Sequence, residues 1–302
     1  MYYNRICGKL LGDGSITKQA GRQPRFQFMH RIEDKEWTEY GYEQLKNFLP
    51  LLPPAYSKVT DPRLKAGYSE RYIMQSRVHQ EINALYDKWY PLGKKKIPFD
   101  FLNNYLNEEA LSWWYQDDGH LKVVNGLMKK IILSTDSFTE KENKQLINML
   151  YDKFRLTFSR DGQNRLILYD QFQIIYFLQL IAPWPTSGMG RKAAVELPLR
   201  PIAKRTTVYL PDDIIIKRPT FEINEQIKNL EEYFKTKDIT RSLLEYRAQS
   251  ILSTNYNENR ISYQITIRED SRIFLSRIRQ LTGLSVSDLI SFIFKKKCNR
   301  TA

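Results

Sequence analysis

Two short apolar stretches of the chain each end in an aspartate followed by glycine, and these aspartates are the residues best suited to chemistry. The stretches are ICGKLLGDG at 6–14 and LSWWYQDDG at 111–119, and they end on Asp13 and Asp118. If both stretches are helical, each carboxylate lies at a helix C-terminus, where the helix dipole disfavours an anion and a compensating cation is needed. Carboxylates held close together bind a divalent metal, and without the metal they raise each other's pKa.

The glycines of these stretches indicate how the two aspartates would meet. Gly8 and Gly12 share one face of a helix, and a glycine inside a helix costs about 1 kcal/mol relative to alanine. We therefore expect a second helix to approach closely on this face, so that both Asp-Gly ends emerge together. Gly14 and Gly119 are expected to end the helices in the left-handed conformation, which glycine enters without steric cost. Trp113 stands where the first stretch has Gly8, so the packing cannot be symmetric.

Two other interpretations of the aspartates stay open at this point. A single aspartate at a helix end is more often part of a turn than a metal ligand, and only the pairing of two such ends favours chemistry. Asp117 is a competing carboxylate next to Asp118. Its place one residue inside the helix points it away from the Asp118 direction, so we rank it second.

Taken together, the paired stretches resemble the motif of the LAGLIDADG homing endonucleases in their single-chain, two-repeat form. The WYQDDG ending is similar to the version found in intron-encoded members, and three more segments agree with the family over about residues 1–200: YPLGKKKIP at 90–98, STDSFT at 134–139 and MGRK at 189–192. The resemblance implies an α+β fold of two pseudo-symmetric αββαββα repeats. It also implies antiparallel sheets that bind double-stranded DNA, and a nuclease core that is active as a monomer.

The resemblance also implies roles for particular residues of this chain. Asp13 and Asp118 match the catalytic metal ligands, with Gly12 and Asp117 beside them, and the metal would be Mg²⁺ or Mn²⁺. Lys95 and Lys192 match catalytic cations at the ends of the two repeats, although Lys96 is an alternative to Lys95 because the register is open by one residue. The positions that order water near the metals in the family often hold glutamine; here they hold His30 and Asp136.

Composition favours a polyanionic partner. The 302 residues carry a formal net charge of +13, which attracts nucleic acid or an anionic membrane. No apolar run reaches the roughly 20 residues that a membrane span needs, and the N-terminus lacks a signal-peptide pattern, so nucleic acid is the better interpretation. Cys7 and Cys298 are the only cysteines, which excludes a disulfide framework and a zinc site. We expect an intracellular, non-secreted protein, without distinguishing bacterial cytoplasm from an organelle.

A predicted hairpin after the first motif carries candidate DNA contacts. Residues 22–31 alternate, with Phe26 and Phe28 on one face and Arg25, Gln27 and Arg31 on the other. The polar face is either solvated or lies in the DNA major groove, which admits a two-stranded ribbon. The full set of candidate DNA contacts in the two repeats is Lys18, Arg22, Arg25, Gln27, Arg31 and Lys122.

The chain is expected to divide into four parts: a first repeat at 1–105, a second at 106–200, a linker or connecting module at 201–257 and a tail at 258–302. The tail has an alternating strand at 260–268, a helix at 271–282 and a final helix at 289–297. This order resembles the ribbon-helix-helix DNA-binding domains. The resemblance implies that the strand pairs with a second copy, in a homodimer or with an intramolecular partner, and that outward side chains read DNA: Ser262, Gln264 and Thr266. The alternative is a small accessory module packed on the nuclease.

Three classes of function follow from these patterns. The leading hypothesis is a homing endonuclease that makes metal-dependent double-strand breaks at a long, asymmetric DNA site. The alternative is a DNA- or RNA-binding protein, either a maturase or a transcription regulator, on a LAGLIDADG scaffold that has lost catalysis. A third is a structural or partner-binding protein whose charge is incidental.

Overall fold

The computed structural model describes residues 2–184, 187–193, 199–234, 243 and 259–298. Two compact units divide the chain. The first comprises Met1–Lys122, Ile131–Leu168 and Leu178–Ala193; the second comprises Val123–Lys130, Tyr169–Phe177 and Ala194–Ala302.

Helices and antiparallel strands follow one another in the order αββαββα along the first repeat. The elements are α1 (Tyr2–Leu11), β1 (Ser15–Thr17), β2 (Arg25–Arg31), α2 (Lys35–Leu45), β3 (Ala55–Thr60), β4 (Tyr68–Gln75) and α3 (Gln80–Trp89). The strands form one sheet in the order β1-β2-β4-β3. Alternation fixes its faces, because Phe26, Phe28 and His30 on β2 are buried while Arg25 and Arg31 are exposed.

A short helix, α4 (Phe99–Tyr105), leads into a second repeat of the same order. Its elements are α5 (Glu108–Asp118), β5 (Gly119–Val124), β6 (Leu127–Leu133), α6 (Glu140–Phe154), β7 (Ser159–Arg160), β8 (Leu166–Leu168) and α7 (Gln171–Ile181). The second sheet has the order β5-β6-β8-β7, which is the first sheet's topology repeated. The predicted α+β fold of two pseudo-symmetric αββαββα repeats is confirmed.

The two motif helices, α1 and α5, pack against each other at the glycines. A side chain at Gly8 would place its Cβ 2.4 Å from the Ala110 carbonyl oxygen and 2.6 Å from Trp113 Cβ. At Gly12 the Cβ would lie 2.5 Å from Asp117 Cβ. All three distances are far inside van der Waals contact, so only glycine allows the helices to come this close.

The glycines that follow the two motif aspartates serve a different purpose from the one predicted. Neither adopts the left-handed conformation; Gly119 is extended, with φ −82° and ψ 148°. Instead, a Cβ at Gly14 would lie 2.5 Å from the Lys9 carbonyl oxygen, and one at Gly119 would lie 2.0 Å from Tyr115 Cδ2. The prediction of left-handed caps is wrong, and the reason for glycine is the close return of the chain over the last helical turn.

The C-terminal part of the second unit contains β9 (Arg205–Pro211), α8 (Pro219–Phe234), β10 (Arg260–Thr266), α9 (Glu269–Thr282) and α10 (Val286–Cys298). Strands β9 and β10 pair antiparallel. The elements share one apolar core, which includes Val208, Leu210, Ile227, Ile265, Leu275 and Leu289. The stretch 201–257, expected as a linker or connecting module, thus supplies a strand and a helix to the same core as the tail, although residues 235–242 and 244–258 lie outside the described chain.

The described part of the tail has the predicted order of strand, helix, glycine and helix. Gly283 ends α9 in the left-handed conformation, with φ 69°. The strand partner of β10 is β9 of the same chain, which corresponds to the intramolecular partner rather than to a second copy. Ser262 and Gln264 are exposed and Thr266 is half-buried. The resemblance to ribbon-helix-helix domains stays a prediction.

Replacing Gly8 tests the packing of the two motif helices. Gly8→Ala gains helix propensity, but its Cβ would overlap α5, so we expect a net loss of about 1–3 kcal/mol in the free energy of unfolding. Urea unfolding followed by circular dichroism measures the change. The matched control is Gly162→Ala, where an added Cβ meets nothing within 4 Å. Equal stability of the two variants would contradict the account.

Candidate active site

Asp13 and Asp118 lie at the ends of the two packed motif helices. Asp13 directly follows the last turn of α1, and its side chain is 37% exposed. Asp118 is the last residue of α5. Burial, followed by the negative charge of Asp117, raises the pKa of Asp13 to about 6. Burial, followed by the charges of Asp13 and Asp117, raises the pKa of Asp118 to about 8. Burial and the neighbouring carboxylates therefore disfavour the charged forms of Asp13 and Asp118, and the nearby lysines only partly offset this.

The environment of Asp117 shifts its pKa in the opposite direction, downward. Its side chain is fully buried, and Oδ1 accepts hydrogen bonds from Lys9 Nζ at 2.7 Å and from Trp37 Nε1 at 2.7 Å. Oδ2 accepts the backbone N–H of Asp13 at 3.1 Å. Burial alone would raise the pKa of Asp117, but Lys9 and the hydrogen bond from His30 outweigh burial and lower it. This carboxylate is already neutralised by protein groups.

Lys9 is the neutralising cation, and it is not among the residues that the sequence motifs predict. Its side chain is fully buried, with Nζ 4.3 Å from the centre of the Phe28 ring and 4.4 Å from that of Trp37. Aromatic faces stabilise an ammonium group that has left water. The signal in the sequence was a lysine in an apolar helix, one turn before Asp13. A lysine buried in such a helix requires a buried acidic partner.

His30 joins this group from β2. Its Nε2 lies 3.2 Å from Lys9 Nζ, 3.2 Å from Asp117 Oδ1 and 3.5 Å from Asp13 Oδ2, and its Nδ1 lies 2.7 Å from Thr38 Oγ1. Burial, followed by the charge of Lys9, lowers the pKa of His30, so we expect a neutral imidazole at pH 7. The ring therefore adds hydrogen-bonding capacity next to Asp13 without adding charge.

Lys192 reaches the C-terminal end of α5. Its Nζ donates to the carbonyl oxygens of Gln116 at 2.6 Å and Asp117 at 2.9 Å, where a cation also interacts favourably with the helix dipole. Lys95 Nζ donates to the carbonyl oxygen of Gly14 at 3.0 Å, next to Asp13. Burial lowers the pKa of each lysine to about 8. Lys96, the alternative to Lys95 in the sequence motif, is exposed.

Each lysine is carried on a segment that the opposite repeat anchors. Next to Lys192, the Arg191 guanidinium forms two hydrogen bonds to Asp34, at 2.7 and 3.0 Å, at the start of α2 in the first repeat. Two residues after Lys95, the backbone N–H of Ile97 donates to Glu142 in the first turn of α6, in the second repeat. The two repeats thus position each other's lysines.

The second repeat has no counterpart of the His30 cluster at Asp136, whose side chain is exposed. His30 lies four residues before Asp34, the N-cap residue of α2. The residue at the same distance from Thr139, the N-cap residue of α6, is Thr135. Thr135 is fully buried and its hydroxyl donates to the Asn164 carbonyl oxygen. A water-ordering role for Asp136 stays a prediction.

The outward face of the first sheet is polar. Gln27 on β2 accepts a hydrogen bond from Gln75 on β4 at 3.2 Å, and Arg31 pairs with Arg71 in the register of the two strands. Alternation in the sequence predicts the β2 residues but not Arg71 and Gln75, because β4 lacks a strict alternation. The other candidate DNA contacts are all exposed: Lys18, Arg22, Arg25 and Lys122.

The donor atoms fit a hard divalent cation. Asp13 and Asp118 offer carboxylate oxygens whose raised pKa values indicate negative charge that a cation would stabilise. Among the described residues, Asp13, His30 and Asp117 offer ligand atoms that lie within 4.8 Å of one another. Of these three, Asp117 is the poorest ligand, since a metal would have to displace the hydrogen bond from Lys9.

Comparison with protein families identifies the scaffold. The model of the LAGLIDADG DNA endonuclease family matches residues 4–177, which include both motif helices and both sheets. The chain belongs to this family. Among the residues that the structure describes, no helix combines the length and the apolar character needed to cross a membrane.

The proteins that are similar to the chain have names that indicate different functions. It is 28% identical over 200 residues to the cytochrome b mRNA maturase bI2 of Debaryomyces hansenii, covering 62% of this chain and 71% of the relative. It is 27% identical over 199 residues to a probable intron-encoded endonuclease of Wickerhamomyces canadensis. This match covers 62% of this chain and 81% of the relative. The solved structure of the homing endonuclease I-WcaI bound to its DNA recognition sequence aligns with TM-score 0.57 and 23% identity over 65% of this chain and 86% of that one, which shows the same fold.

Removing Lys9 tests its role as the buried partner of Asp117. Lys9→Met leaves a buried carboxylate without its cation, so we expect a loss of about 3–5 kcal/mol in the free energy of unfolding. The double variant Lys9→Met/Asp117→Asn removes both charges and should recover part of the loss. Urea unfolding of the wild type, Lys9→Met, Asp117→Asn and the double variant gives the coupling energy. Additive losses would show that the two side chains do not depend on each other.

The raised pKa of Asp118 predicts a pH dependence of stability in chelator. The folded protein binds this proton more tightly than the unfolded chain, with a pKa of about 8 against 3.8. The contribution is fully present below pH 3.8 and is lost as pH rises to about 8. Asp118→Asn should therefore become stabilising relative to wild type as pH rises through this window. Thermal unfolding of the wild type and Asp118→Asn across this pH range measures the difference in stability, with the exposed Asp152→Asn as control. A stability difference that does not change with pH would refute the prediction.

Proposed function

We propose that this LAGLIDADG protein is a homing endonuclease that makes metal-dependent double-strand breaks at a specific, long and asymmetric DNA site. The observation that carries the proposal is the pair of carboxyl groups with raised pKa values, Asp13 and Asp118, at the ends of two helices in close contact. The net charge of +13 favours a polyanionic substrate. A DNA substrate agrees with the expectation of an intracellular protein.

In this proposal Asp13 and Asp118 would hold Mg²⁺ or Mn²⁺, and the bound metal would supply an activated water and stabilise the leaving oxygen of the phosphodiester. Lys95 and Lys192 place positive charge next to the carboxylates, where negative charge develops on the phosphate. At neutral pH both ammonium groups are mainly protonated, since the pKa of each is about 8. His30 orients the Asp13 carboxylate and a water next to it.

The polar faces of the two sheets would contact DNA. On the first sheet, Arg25, Gln27 and Arg31 share a face with Arg71 and Gln75. Arginine and glutamine form bidentate hydrogen bonds to base edges in the major groove. Since the two repeats differ in sequence and belong to one chain, a monomer would read two different half-sites, which requires an asymmetric target.

The tail is proposed as a second DNA-binding surface. The β9–β10 ribbon exposes Ser262 and Gln264 opposite Tyr209 and Thr207. We propose 1–105 and 106–200 as the nuclease repeats and 258–302 as part of this ribbon module. The module would form within one chain, and a homodimer through the tail is the less favoured alternative.

A second candidate function is RNA or DNA binding without cleavage, as in a maturase or a transcription regulator. The similarity to a curated maturase favours it, and so does the exposed Asp136 where the family often holds a water-ordering glutamine. Against it, both motif aspartates and both lysines are present. Specific retention of nucleic acid without cleavage under any metal would select this candidate.

Plasmid cleavage tests the nuclease directly. The substrate is a plasmid that carries the sequence flanking this gene, joined without interruption, and the wild type should linearise it with Mg²⁺ but not with chelator. We expect Asp13→Asn and Asp118→Asn each to lower the rate by about 100-fold or more, since the metal contributes several kcal/mol. The exposed Asp87→Asn on α3 is the control. Undiminished cleavage by either motif variant would refute the assigned pair.

A further inference from the structure

The C-terminal part of the second unit contains an open cavity of about 790 Å³ that the nuclease proposal does not use. It lies where helices α8 and α9 begin and where strand β10 ends; Pro219, Thr266 and Glu269 are on its wall. Its volume is in the range of small-molecule sites, roughly 300–1,000 Å³.

The wall of the cavity is strongly basic. Four of its side chains are cations: Lys204, Arg218, Arg268 and Arg272. Among the described residues of the wall, the one acidic side chain is Glu269, which is 81% exposed and comes no nearer than 3.9 Å to Arg272. Four cations against one solvated carboxylate leave an excess of positive charge that a bound anion would neutralise.

The neighbouring carboxylates of the described chain, Glu222 and Glu225, do not neutralise this excess. Glu225 lies 3.3 Å from Arg268, an exposed pair that contributes little. Glu222 accepts the backbone N–H groups of Lys217 and Arg218 rather than binding a cationic side chain. The charge of the Arg218 guanidinium is therefore available to a ligand.

Two side chains are held in a way that suits ligand binding. The Arg218 guanidinium lies 4.9 Å from the centre of the Phe221 ring, a contact that orients it without neutralising it. Arg272 donates from one terminal nitrogen to the Ile202 carbonyl oxygen, while its buried Nε has no acceptor among the described residues. The starts of α8 and α9 add the positive ends of two helix dipoles.

We propose that this cavity is a phosphate-binding site, which takes either a phosphate of a nucleic-acid backbone or the phosphate of a small molecule. Guanidinium groups match the geometry of phosphate oxygens and bind them through paired hydrogen bonds. Phe221, which is 52% exposed on the wall, offers an apolar surface for the group attached to the phosphate.

The test uses the full-length chain in chelator, so that it does not depend on cleavage. Lys204→Gln/Arg218→Gln removes two cations of the cavity, and Lys228→Gln/Arg277→Gln removes two exposed cations of α8 and α9 outside it. Calorimetric titrations with pyrophosphate, and with a DNA duplex of unrelated sequence, give Kd values for wild type and both variants. Circular dichroism checks that both variants are folded.

We expect the cavity variant to bind one of the two ligands about tenfold more weakly than the control variant does. If the ligand is the duplex, the slope of log Kd against log salt should also fall by about one, as one phosphate contact is lost. Loss of duplex binding assigns the site to the nucleic-acid backbone, and loss of pyrophosphate binding assigns it to a small phosphorylated molecule. Equal Kd values for the two variants in both titrations would overturn the proposal.

Discussion

The buried ion pair between Lys9 and Asp117 holds the residues of the candidate active site in place. It joins α1 of the first repeat to α5 of the second through a 2.7 Å contact inside an aromatic cage. A buried pair of this kind adds little net stability over an apolar pair, but breaking it is costly, and it therefore specifies one arrangement of the helices. By neutralising Asp117, Lys9 leaves Asp13 and Asp118 as the carboxylates that lack a strong partner.

The pair also explains the asymmetry within a repeated fold. Gly8 and Gly12 bring the helices together, and the room that Gly12 leaves is filled by Asp117 itself. The two repeats share helix order, sheet topology and an anchored lysine each, but only one side of the helix pair contains Lys9 and His30. The two aspartates consequently differ in environment, with pKa values of about 6 and about 8.

The sequence predicts the parts of this arrangement that local patterns encode. The alternation in β2 and the two motif helices could be predicted because side-chain periodicity reports burial within one element. The site's network could not, because its contacts join residues far apart, as Lys9 and Asp117 do across 108 positions. The bond from Arg191 to Asp34 spans 157 positions for the same reason. Gly119 was placed correctly and explained wrongly, since sequence cannot distinguish left-handed backbone from a close steric approach.

We propose that Asp13 and Asp118 bind the metal and that Asp117 does not, because Lys9 already neutralises it. The most direct test is anomalous diffraction from crystals of the protein grown with Mn²⁺ and duplex DNA. The account predicts manganese peaks within coordination distance of the Asp13 and Asp118 carboxylates, with Lys9 still bonded to Asp117. A manganese ion bonded to an Asp117 side-chain oxygen, with Lys9 displaced, would contradict it.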